Sequence, residues 1–120
     1  MATVTESELS KKHCVPCEGG IPPLSAAQVN QHLAALPDWK LTTDGKRIRR
    51  EWRVKDFMVG LDFFNAVGRI AEEEDHHPDL HLAGYRNVAV EIWTHAINGL
   101  SENDFILAAK IDRLPVEIKK

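Results

Sequence analysis

The chain has 120 residues, 43% of them hydrophobic and 28% charged, and a formal net charge of −3. That balance suits one globular domain around one core and excludes a disordered chain. Basic residues are scattered except for the short KRIRR run at 46–50, which excludes a general nucleic-acid binder, since that function needs a broad basic footprint.

No stretch approaches the roughly eighteen apolar residues that span a bilayer. The opening MATVTESELSKK lacks the apolar segment of a secretory signal and the arginines of a transit peptide, so the expected location is cytoplasmic, with no membrane partner. Residues 1–23 read as a tail, polar at first and then dense in Gly and Pro through HCVPCEGGIPP; residues 24–120 read as the domain. Cys14 and Cys17 are too close together to staple a core. With His13 they offer three soft ligands where a structural zinc site takes four, and the expectation is free thiols in the tail. An ion shared between two chains and a redox-active CxxC pair are the alternatives.

Leu24 and Ser25 announce a helix. Ser25 and Gln28 make a capping box, Leu24 and Val29 fit a hydrophobic staple, and Pro37 ends the segment. Trp39–Thr42 and Arg47–Val54 read as strands joined by an Asp44-Gly45 turn. In the second run Ile48, Trp52 and Val54 share one parity, while Arg47, Arg49, Glu51 and Arg53 take the other. From Lys55 the period becomes helical through Phe57, Leu61, Phe64, Gly68 and Ala71, and Pro78 limits that helix. Leu80–Tyr85 and Asn87–Thr94 read as two further strands, and a last helix starts at Ser101 and stops before Pro115. The order helix-strand-strand-helix-strand-strand-helix predicts an α+β fold: a single four-stranded antiparallel sheet with three helices on one face. The other face and the edges stay open, which favours self-association.

The segment EEEDHHPDLHLAGY, 72–85, concentrates titratable groups where the long helix ends. Strand parity puts His95 at the end of the fourth strand. An antiparallel layout brings that end and His76-His77 to one rim of the sheet. Three imidazoles in one cleft suit acid/base chemistry, because the ring gives and takes a proton near neutral pH. Structural readings compete. One reading of His76-His77 is no more than a cationic helix end, and Ser101-x-x-Asp104 is itself a capping box. Glu73, Glu74 and Asp75 read as solvated helix face, His81 as exposed strand and His32 as a polar-side helix residue. His77 and His81 have a zinc-like spacing only on a continuous helix, and Pro78 interrupts it.

The run Glu72-x-x-x-His76-His77-Pro78, with Tyr85, His95 and Asp104 following, resembles the pterin-4a-carbinolamine dehydratase family. The likeness extends from about Ser25 to Leu114 and includes VKDF at 54–57 and THAINGLSENDF at 94–105. The resemblance implies dehydration of a 4a-hydroxytetrahydropterin to a quinonoid dihydropterin, with no metal or redox cofactor, in support of tetrahydropterin recycling. It implies His76, His77 and His95 as the active-site histidines. His76 and His95 form the expected proton-transfer pair, and His77 helps to hold the pterin. Glu72, Asp104 and Tyr85 are the implied binding or supporting residues, with Glu72 at the pterin's donor edge. Two departures bear on side-chain preference: DLHLAG before Tyr85 is one residue longer than in animal members, and Trp93 replaces a small hydroxyl residue. The implied assembly is a homodimer or homotetramer. The alternative function is a non-catalytic dimerisation or assembly module on the same scaffold; a zinc-dependent hydrolase fits the histidine spacing poorly.

Overall fold

The computed structural model describes residues 5–14 and 22–119, so Cys17 and the role considered for it lie outside the described residues. Among these residues four helices pack with a single antiparallel sheet: α1 Glu6–Lys11, α2 Ala26–Ala35, β1 Lys40–Leu41, β2 Ile48–Arg53, α3 Phe57–Glu74, β3 Asp79–Ala83, β4 Asn87–Ile92 and α4 Glu102–Asp112. The strand order is β1-β2-β4-β3. The fold is α+β, as the periodicity predicts.

Local chemistry fixes each boundary. At α2 the Ser25 hydroxyl accepts the Gln28 N–H at 3.2 Å while the Gln28 side chain accepts the Ser25 N–H at 2.9 Å. Asp56 starts α3 by accepting the Val59 N–H at 2.9 Å. The β1–β2 turn uses Gly45 at φ 72°, a conformation glycine adopts without steric cost, and Asp44 accepts the Lys46 N–H at 3.0 Å.

The register Ile48↔Ile92, Arg50↔Val90 and Trp52↔Val88 puts the apolar parity of β2 opposite that of β4. Ile48, Trp52, Val88, Val90 and Ile92 therefore turn together toward the helices and join the core. Arg49, Glu51 and Glu91 take the opposite face. Arg50 is the exception on the inner parity. Its guanidinium lies over the Trp52 ring and donates to Asp112 at 2.6 Å, and the Trp39 indole N–H donates to the same oxygen at 2.8 Å.

Helix α4 is buried from Asn103 to Ala109. A helix covered on all sides needs neighbours beyond the sheet, and one of them is α1. Here the expectation of an N-terminal tail needs correcting: Glu6–Lys11 form a helix capped by Thr5, and Leu9, 1% exposed, enters the core. Burying one leucine contributes on the order of 1.5–3 kcal/mol, which outweighs the solvent-screened pairing of Glu6 with Arg113. His32 also departs from expectation. It is buried, its Nδ1 lies 2.8 Å from the Gln28 carbonyl, and its ring packs against Phe105 with centroids 4.9 Å apart.

Candidate active site

Two chain reversals build the site. The first ends α3. Asp75 adopts the left-handed conformation at φ 50°, and its N–H returns to the carbonyls of Ala71 and Glu72. The His76 N–H also bonds Ala71 O at 3.1 Å, so the helix closes and the chain turns away with His76 and His77 at its carbonyl end. The second follows β4. Thr94 and Gly99 pair across a short 3-10 turn, His95–Ile97, with Asn98 left-handed at φ 49°. Gly99 suits this place, because a Cβ would stand a tight 3.0 Å from the Pro23 ring.

These reversals meet. His76, His77 and His95 line one cleft of about 490 Å³, together with Thr94, Asn103 and Cys14. His76 is anchored from behind: its Nε2 lies 2.6 Å from Asp104 Oδ1. Asp104 is fully buried, and its other oxygen accepts the Thr94 hydroxyl at 2.9 Å and the Ser101 N–H at 2.8 Å. One carboxylate thus both caps α4 and pairs with His76. His77 is more exposed, with Nε2 2.8 Å from Glu72 Oε1. His95 packs against Trp93, ring centroids 4.2 Å apart, and the Arg47 guanidinium covers Trp93 at 4.5 Å.

Not every expected residue reaches this place. Tyr85 is half exposed in the β3–β4 turn, at φ 54°, beneath Arg86. That turn precedes β4 whereas His95 follows it, and the length of β4 at about 3.3 Å per residue separates the two. Within one chain Tyr85 does not join the cleft. Glu72 lies beside the cleft through His77 and lines a larger groove of about 670 Å³ between α3 and β3, with Phe64 and Leu80. His81 is exposed on β3, as expected, with Nε2 3.8 Å from Glu91.

Three participants escaped the sequence reading. Glu74, read as solvated, has a side chain only 4% exposed and accepts the Cys14 N–H at 2.7 Å. Cys14, read as part of a tail, stands on the cleft wall. Thr94 lay inside the THAINGLSENDF phrase and was legible there only as sequence likeness. Among the described residues no three His, Cys, Asp or Glu side chains are grouped as metal ligands, and no helix is long and apolar enough to cross a membrane.

Comparison with known proteins places this geometry. The family model described as pterin 4 alpha carbinolamine dehydratase matches residues 22–114. The chain is 52% identical over 114 residues to pterin-4-alpha-carbinolamine dehydratase 2, mitochondrial, of Arabidopsis thaliana, covering 92% of this chain and 61% of that protein. A protein of Halorhodospira halophila, provisionally given the same enzyme name, is 50% identical over 106 residues and covered over 96% of its length. The crystal structure of a transcriptional coactivator/pterin dehydratase from Brucella melitensis superposes with a TM-score of 0.70 at 32% identity, covering 75% of this chain and 95% of that one. The family model covers more than two thirds of the chain, from just before the Ser25 cap to just beyond α4. The chain belongs to the pterin 4 alpha carbinolamine dehydratase family.

Proposed function

We propose that the protein dehydrates a 4a-hydroxytetrahydropterin to the quinonoid dihydropterin by histidine acid/base catalysis, within tetrahydropterin recycling. The observation that carries the reading is the convergence of His76, His77 and His95 on one cleft, with Asp104 behind His76.

The reaction breaks the bond from carbon 4a to its hydroxyl and forms a double bond to the adjacent ring nitrogen, whose proton leaves. Water is the only by-product, so electrons balance without an oxidant or reductant. The protein's task is to give a proton to the departing oxygen and accept one from nitrogen. His76 and His95 take these two roles. A carboxylate oxygen accepts, so His76 Nε2 donates to Asp104 and Nδ1 is left as the ring's exchangeable position. Asp104 also stabilises the imidazolium that forms when His76 takes a proton, as a buried carboxylate does for the histidine of a hydrolytic triad. His95 has no such carboxylate among its described contacts and is held by Trp93. His77 and Glu72, both exposed, bind the polar edge of the pterin. Positioned imidazoles contribute on the order of 10²–10⁴-fold by such transfers.

The working protein on this reading is a cytoplasmic homo-oligomer. Its open sheet face and the groove between α3 and β3 support association, whereas the plant relative carries a mitochondrial name. Sedimentation and cell fractionation test these two points. For the reaction, a 4a-hydroxytetrahydropterin generated in situ is followed spectroscopically with and without the protein. Acceleration that survives chelators supports the reading. Unaccelerated decay with the protein folded favours the alternative, a non-catalytic assembly module, and chelator-sensitive acceleration favours a metal.

A further inference from the structure

The family match begins at residue 22, yet residues 5–14 pack against the domain and bring Cys14 to the cleft wall. Leu9 seats α1 against the core, and the Lys110 ammonium on α4 donates to the Ser10 carbonyl at 3.0 Å. The chain then crosses to the end of α3. There the buried Glu74 carboxylate accepts the Cys14 N–H at 2.7 Å through one oxygen and pairs with His13 Nδ1 at 3.0 Å through the other. Burial alone would raise the Glu74 carboxyl, but the Cys14 N–H, the His13 ring and Lys110 together hold it below its ordinary range. Glu74 is two residues before His76, so the strap is tied to the reversal that aims the histidines.

The Cys14 side chain completes the wall. Its Sγ lies 3.5 Å from the Asn103 carbonyl. Burial, with the nearby Glu74 and Asp104 carboxylates, pushes the thiol up to about 12. It therefore faces the cleft as a small neutral group and not as a nucleophile. In a pterin the carbon that bears the side chain is bonded to the same nitrogen that loses its proton. A ring held with that nitrogen at the histidines brings its substituent to the nearby cleft walls, and one of those walls is the strap.

We propose that the N-terminal strap is a specificity wall of the pterin site, in which Cys14 sets the size of substituent accepted and Glu74 is the positioning residue that fastens it. This rests on the reading that the cleft takes a pterin.

The test compares Cys14→Ala and Cys14→Met with the unaltered protein. The readouts are the Kd of two stable 7,8-dihydropterins, one with a methyl and one with a three-carbon hydroxylated side chain, and the KM of the matching carbinolamines. One methylene in a packed pocket is worth roughly tenfold. Cys14→Met is expected to weaken the longer ligand about tenfold and the methyl ligand far less, and Cys14→Ala to shift the ratio the other way. Glu74→Ala is expected to speed tryptic cleavage after Lys11 and Lys12 several-fold and to move the ratio in the direction of Cys14→Ala. Glu74→Gln, which keeps an acceptor for the Cys14 N–H, is expected to fall between. Equal shifts for both ligands, or cleavage unchanged in Glu74→Ala, overturn the strap assignment while dehydration by the unaltered protein stands. Failure of the unaltered protein both to bind the dihydropterins and to dehydrate overturns the underlying reading as well.

Discussion

His76 Nε2 and Asp104 Oδ1 are 2.6 Å apart, although 28 residues separate them in the chain. The contact joins the C-terminal end of α3 to the first turn of α4, and the same carboxylate holds Thr94 at the end of β4. Three elements are thus tied at one buried group. Replacing it tests catalysis and stability separately. Asp104→Asn keeps the volume and one acceptor but removes the charge that favours the imidazolium. It is expected to lower kcat by about 10–100-fold with KM little changed, given that a positioned acid/base group supplies on the order of 10²–10⁴-fold. Asp104→Ala also strands the Ser101 N–H and leaves the Thr94 hydroxyl with the Ser101 hydroxyl alone, and urea denaturation is expected to register a loss of about 1–3 kcal/mol.

Trp93 packs on the His95 ring, and the Arg47 guanidinium lies over Trp93. Trp93→Ala is expected to loosen His95 and reduce kcat more than it changes KM. Trp93→Phe, which keeps an aromatic surface for both neighbours, is expected to retain most of the rate. Equal losses in the two variants would remove Trp93 from the positioning of His95.

Tyr85 offers a contrast. The family likeness implies a supporting role, but the side chain sits in the β3–β4 turn, away from the cleft of its own chain. Tyr85→Asn is expected to leave kcat/KM within about twofold. It is also expected to raise stability slightly, because asparagine tolerates the left-handed conformation at a fraction of the roughly 1–2 kcal/mol that other residues incur. Steady-state kinetics with a thermal melt decide both points. A large kinetic loss would show that a second chain brings Tyr85 to the site.

Acid sensitivity follows from Glu91. Burial would raise its carboxyl, but Arg49 and Arg47 beside it, with His81, hold it below its ordinary value of 4.5. A depressed carboxylate contributes stability that is full above the unfolded value and is lost as pH falls through the folded one. Asp112 works in the opposite sense. Burial outweighs its bonds from Trp39 and Arg50 and raises its carboxyl, so its contribution is present at low pH and is lost as pH rises. Denaturation of the unaltered protein and Glu91→Gln between about pH 3 and pH 7 is expected to show a stability gap that closes on acidification. A gap that is constant across that range would mean the arginines do not hold Glu91 in solution.

Much of the fold was legible because period and parity carry it. The alternation of Val88, Val90 and Ile92 set the inner face of β4, and the Ser25 capping box placed the start of α2. The site was legible in outline for the same reason, since strand parity and the stop before Pro78 brought His95 and His76 to one rim. What the sequence hid depends on docking. Helix α1 is six residues long with one buried apolar residue, too short for a periodic signal, although Thr5 and Glu8 carry a cap pattern. Glu74 looks solvated on its own helix and is buried only because the strap lies over it. His32 looks polar and is buried because its ring finds Phe105 and its nitrogen finds a helix carbonyl. Tyr85 entered the reading through the motif, which records proximity in the chain and not the direction in which β4 carries it, away from the cleft of its own chain.

The most direct test is the decay of a 4a-hydroxytetrahydropterin in the presence of His76→Ala, His95→Ala and His81→Ala, each confirmed as folded. Proton transfer by two imidazoles predicts that His76→Ala and His95→Ala each lose about 10²-fold or more in kcat/KM while His81→Ala stays within about twofold of the unaltered protein. Full activity in either of the first two variants would contradict the account.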